Sequence, residues 1–176
     1  MPVNLVHTYL FLNDLHLAGG FKAAEGRPSQ GESFFYDAEF ASFLDFHISQ
    51  AASKGHSLHL VLLGDVFDFL RIESRTAPQH HYSLDSSPAT AVEKLRRIAA
   101  GHAEFFQALG RLLDAGGVLE LLPGNHDIEL IRQPVQSVFK ELVVATCQKP
   151  ISAVQIRFHP WVLYVPGAFY AEHGQQ

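Results

Sequence analysis

Three short apolar runs, each closed by a turn-forming or polar residue and followed at once by a cluster of functional side chains, set what this chain can fold into. Residues 5–12 (LVHTYLFL) run into Asn13-Asp14-Leu15-His16. Residues 58–63 (LHLVLL) run into Gly64-Asp65-Val66-Phe67-Asp68, and residues 118–122 (VLELL) into Pro123-Gly124-Asn125-His126-Asp127. Runs of this length stopped by Gly or Pro suit buried strands, although periodicity alone does not separate them from a buried helix turn. Between them lie helical patterns. In 37–53, Phe40, Phe43, Leu44, Ile48 and Ala51 share one face. A longer stripe, about 88–115, steps by 4 and 3 through Ala91, Leu95, Ile98, His102, Phe105, Leu109 and Leu112. It starts at Ser87-Pro88 and stops at Gly116-Gly117. A third helix is expected over about 134–145, and the tail 151–172 reads as two or three short strands with a bend at Pro160-Trp161. Segments 19–33 and 71–87 read as loops.

Strand alternating with helix predicts parallel pairing through crossover helices. The expected fold is α/β, a layered sheet core flanked by helices, in one domain spanning residues 1–176. Ligands of open parallel sheets bind at the carboxyl ends of the strands, so the three clusters should converge on one crevice. They hold carboxylates, imidazoles and a carboxamide but no thiol, a donor set suited to Zn, Mn or Fe. Crowded at one sheet edge, such groups would repel and desolvate one another without a cation among them.

Composition removes several alternatives. Cys147 is the only cysteine, which rules out an internal disulfide and a four-cysteine zinc site. The formal net charge of −5 argues against nucleic acid as a partner. No apolar run approaches the ~20 residues of a transmembrane segment. No cationic stretch precedes the first apolar run, as a signal peptide would require. The expectation is a soluble protein of the reducing cytoplasm. Peripheral membrane contact and oligomeric state stay open.

The order D-x-H (Asp14, His16), G-D-x-x-D (Gly64, Asp65, Asp68) and G-N-H-D (Gly124 to Asp127) resembles the calcineurin-like metallophosphoesterases over roughly residues 8–176. The strand-end histidine of that family is matched by His173 before Gly174. Its final G-H-x-H motif is absent, because the sequence stops at Gln176. The expectation is therefore a C-terminally incomplete domain with weak activity.

The resemblance implies a layered metallophosphoesterase fold and two divalent metal ions, manganese first, with Zn, Fe or Ni as alternatives. It implies Asp14 and His16 on one metal, Asn125 and His173 on the other, and Asp65 bridging them. A bridging hydroxide would hydrolyse a phosphate mono- or diester of a small molecule. His126 would protonate the leaving oxygen or stabilise phosphate charge, and Asp68 would orient it. Where some members carry arginine after that aspartate, this chain has Phe69. Arg71, Arg75, His80 and His81 are the candidates to meet substrate from the following loop. Gly64 to Phe69 looks closer to bacterial branches that include the UDP-diacylglucosamine pyrophosphohydrolases than to the Ser/Thr protein phosphatases. The reading from another class is a non-enzymatic interaction module on the same fold. Among the other histidines, His102 is expected to be a packed, hydrogen-bonded core residue. His7 and His59 should lie off the ligand-bearing strand ends, with His47 and His56 at the surface.

Overall fold

A computed structural model describes residues 6–22, 24–73 and 85–175. In chain order the elements are β1 (His7–Leu12), β2 (Phe21–Lys22), β3 (Arg27–Pro28), α1 (Asp37–Lys54), β4 (Ser57–Leu63), α2 (Pro88–Gly101), α3 (Ala103–Asp114), β5 (Val118–Leu122), α4 (Gln133–Val144), β6 (Ile156–Phe158), β7 (Val162–Val165) and β8 (Phe169–Glu172). β1, β4, β5 and β6 form one parallel sheet in that order. β2 pairs with β3 and β7 with β8 as antiparallel ribbons.

The strand order explains where the helices go. Each new strand joins on the same side of the last, and right-handed crossovers then deliver every connecting helix to one face. Side chains alternate across a strand. Leu58, Leu60 and Leu62 of β4 accordingly join Leu119, Leu121 and Ile156 in the large core with α1 to α4. Val61 and Leu63 point the other way and pack with Tyr9, Leu122, Leu163, Val165 and Phe169, under the β7–β8 ribbon.

That second face is not wholly apolar. His59 and Glu120 are buried on it. Glu120 accepts from His59 Nδ1 (2.9 Å), His159 Nε2 (2.7 Å) and Arg157 Nη1 (3.1 Å), and His7 Nδ1 meets His59 Nε2 at 3.0 Å. Burial pushes the Glu120 carboxyl up, but the hydrogen bonds from His159 and His59 and the Arg157 charge outweigh it and hold it at about 2. His7 and His59 thus lie off the carboxyl-end site. His47 and His56 are half-buried rather than at the surface.

One predicted element divides. The expected helix over 88–115 breaks at His102, whose backbone (φ −125°, ψ 47°) ends α2 and begins α3. Its start is as expected, with Ser87 capping and Pro88 in the first turn. The stripe's spacing of 3 and 4 survives because only one residue leaves the helix. In α1, Phe40, Leu44 and Ala51 are buried, while Phe43 is largely exposed.

Candidate metal centre

The polar clusters meet where the sheet ends. After β1 the chain is bonded to the turn after β4: Asp14 N to Gly64 O (3.2 Å), His16 N to Asp65 O (3.0 Å) and Leu17 N to Val66 O (2.9 Å). After β5, the buried Asp127 carboxylate accepts the amides of Gly124 (2.6 Å), Asp65 (3.2 Å), Val66 (2.9 Å) and Phe67 (3.3 Å). Asp127 therefore ties the second and third clusters together. The sequence carries it in G-N-H-D, yet its role there was not legible, because three of its four partners are backbone amides 60 to 62 residues away in sequence. Burial pushes its carboxyl up to about 6 against the pull of those amides.

Two glycines leave room for the junction. Gly64 adopts φ +83°, and a Cβ there would lie 2.6 Å from the His173 ring and 2.8 Å from Gly124 N. A Cβ on Gly124 would lie 2.1 Å from Asp65 Oδ1. Neither position accepts a side chain without displacing a site residue.

Asp14 (φ 55°), His16 (φ 54°) and Asp65 (φ 52°) are the non-glycine residues with positive φ among the described residues. Such backbone costs energy and clusters where surrounding structure enforces it for a purpose. The same three residues offer oxygen or nitrogen atoms within 4.8 Å of one another.

The geometry centres on one oxygen. Asp65 Oδ1 accepts the His126 amide at 2.8 Å. Asp65 Oδ2 faces His16 Nε2 at 3.9 Å and His173 Nε2 at 3.5 Å. Asp14 Oδ1 lies 4.0 Å from His16 Nε2. The far nitrogen of each imidazole is held: His16 Nδ1 donates to Asp68 Oδ2 (3.1 Å) and His173 Nδ1 to Leu63 O (2.9 Å). That arrangement fixes both tautomers and leaves both Nε2 atoms with lone pairs turned to Asp65, the usual preparation of a metal-binding histidine. Asp65, though ionisable, is buried. The donor set, its orientation and its crowding of carboxylates and imidazoles fit divalent cations. Asn125 lies on the adjoining turn with its side chain exposed.

Asp68 forms a second cluster with His16 and His126. Its fully buried carboxylate takes the Arg71 amide on Oδ1 (3.2 Å), while Arg71 Nε sits 3.1 Å from Oδ2. A guanidinium therefore already sits on the oxygen that this second cluster would offer a cation. His126 Nδ1 reaches the same oxygen at 3.1 Å. It is nevertheless one of two buried side-chain polar atoms without an aligned hydrogen-bond partner among the described residues. The short separation and the missing alignment agree if two ring N–H groups compete for one oxygen and His16 holds the better line.

The structure therefore brings together Asp14, His16, Asp65 and His173, with Asp68, His126 and Arg71 beside them. Arg75, His80 and His81 lie outside the described residues. Among the described residues, no helix is long and apolar enough to cross a membrane. No protein-family model, no curated protein and no solved structure matches the chain.

Proposed function

We propose that this chain is a metal-dependent phosphoester hydrolase of the calcineurin-like metallophosphoesterase type, with the layered sheet core of that family. The observation that carries the reading is the pair of tautomer-fixed imidazoles, His16 and His173, aimed from two sides at one oxygen of Asp65. Asp14, His16 and Asp65 would hold one divalent ion, and Asp65, Asn125 and His173 a second. Manganese is the first choice, with Zn, Fe or Ni as alternatives. When bound, such ions supply Lewis acidity and water of lowered pKa.

The chain's own groups supply the rest. Asp68 sets His126 with Nδ1 toward its carboxylate, leaving Nε2 as the atom that hands a proton to the departing alkoxide. Arg71 uses Nε on Asp68 and Nη1 on Ser33 Oγ (3.1 Å). Its Nη2 edge, on a 43% exposed side chain, is then the donor that meets a phosphate oxygen. The strained backbone at Asp14, His16 and Asp65 sets the ligands before the ions arrive, which lowers the ordering cost of binding. The net charge of −5 supports a small phosphoester over a polyanion.

The test is elemental analysis of Mn-loaded protein beside Asp65→Ala. Two ions per chain, lost in the variant, are expected, together with Mn-dependent hydrolysis of p-nitrophenyl phosphate or its bis-ester. A folded wild-type chain that retains no ion would overturn the proposal and favour a non-enzymatic interaction module.

A further inference from the structure

Away from the ligands, the most heavily bonded polar junction lies where the segment after His16 crosses the gap between α2 and α3. The Glu32 carboxylate, 1% exposed, accepts Ser33 N (2.9 Å) and Phe34 N (2.8 Å) on Oε1. Its Oε2 accepts Gly20 N (2.5 Å) and His102 Nε2 (3.0 Å). On its other side, the His102 ring donates Nδ1–H to Asp37 Oδ2 (3.0 Å). The backbones are tailored to this approach. A Cβ on Gly20 would lie 2.2 Å from Gly101 O, and one on Gly101 would lie 2.2 Å from Gly19 O. Burial depresses the basicity of His102, but the bonds to Asp37 and Glu32 outweigh it and raise its pKa to about 9. The ring is an imidazolium held by two carboxylates at neutral pH.

The junction leads to the reaction site. Ser33 follows Glu32, and its Oγ accepts Arg71 Nη1 at 3.1 Å. Arg71 Nε lies 3.1 Å from Asp68 Oδ2, the oxygen that His16 and His126 share. We propose that His102, seated between Glu32 and Asp37, is a positioning residue: through Glu32 it fixes Ser33, through Ser33 it fixes Arg71, and Arg71 steadies Asp68 and His126. The positioning of a reaction rests on the phosphoesterase reading; the mechanical link to Arg71 does not.

Stability alone is a poor reason for such a cluster. A buried ion group is often replaceable by packed apolar residues at no loss, so its worth lies in the geometry it enforces.

The experiment uses the full chain with His102→Gln, Ser33→Ala, Arg71→Ala and the double variant His102→Gln/Arg71→Ala. On the metal-free protein, NMR of the Arg71 Nε–H should show that signal shifted or lost in both His102→Gln and Ser33→Ala. On Mn-loaded protein, His102→Gln should lower kcat/KM for the nitrophenyl ester about tenfold, in line with the cost of small misplacements. In the Arg71→Ala background the same change should add little, because both act along one chain of contacts. Additive losses, or an unmoved Arg71 signal in a folded His102→Gln, would overturn the proposal. If His102→Gln does not fold, Asp37→Asn, which removes the charge of one of the two carboxylates that seat the His102 ring, carries both arms. A wild-type chain that hydrolyses neither ester would refute the phosphoesterase reading, while the Arg71 signal would still decide the link.

Discussion

Replacing Asp14 by glycine should stabilise the metal-free protein while removing most of its response to metal. Asp14 sits at φ 55°, where a Cβ crowds the following carbonyl. That conformation costs about 1–2 kcal/mol per residue, with aspartate at the low end because it bonds locally. Glycine removes the penalty and loses about 0.5–1 kcal/mol to the entropy of a looser unfolded chain. Little packing is at stake, because the side chain is 53% exposed. It also lies against His16 in a cluster that already holds the Asp65 carboxylate. The net gain is about 0.5 kcal/mol, or roughly 1–2 °C in Tm for a chain of this size.

The control is Asp14→Ala, which removes the same carboxylate but keeps the Cβ. It should be less stable than the glycine variant by about 1 kcal/mol. Calorimetry in EDTA reads this difference. With Mn at about 100 times its Kd, the wild type should gain about 2.7 kcal/mol, and both variants should lose most of that gain. A glycine variant no more stable than the alanine variant in EDTA would refute the argument from backbone strain. A full Mn-induced shift in either variant would refute Asp14 as a ligand.

Asp127→Asn should destabilise by about 2–4 kcal/mol in urea melts, since an amide cannot accept four backbone N–H bonds and turns a donor into a buried amide cluster. Gly101→Ala should cost about 1–3 kcal/mol, read as a fall in Tm, because its Cβ would meet Gly19 O. The pH dependence follows from His102, whose folded pKa is raised from 6.5 to about 9. Its contribution is therefore complete below pH ~6.5 and is lost as pH rises through about 9, worth up to about 3 kcal/mol. Chemical denaturation from pH 6 to 10 should show that decline in the wild type and a flatter profile in His102→Gln.

The strands were legible because they are continuous apolar runs ending in turn residues, and β1, β4 and β5 fall where those runs do. The meeting of Asp14, His16, Asp65 and His173 was legible because each follows a strand directly, so sequence position sets spatial position. The break at His102 was hidden for a physical reason. The partners that hold the ring there are remote in sequence: Glu32, in a segment that looks like an ordinary loop, and Asp37, at the start of α1. Asp127 was hidden for a related reason: its partners are amides, which every residue has and no sequence pattern marks. The one-sided placement of helices was not legible either, because it follows from strand order rather than from any one segment.

The carboxylate of Asp127 has one more consequence. Many proteins grip phosphate in a nest of free backbone amides at a turn. Here the amides of Asp65, Val66, Phe67 and Gly124 are already committed to Asp127, and that of His126 to Asp65. These turns carry their own internal anion. An incoming oxyanion finds these five amides already taken and depends the more on cations and side chains. Affinity for inorganic phosphate should therefore depend on metal rather than on the polypeptide alone.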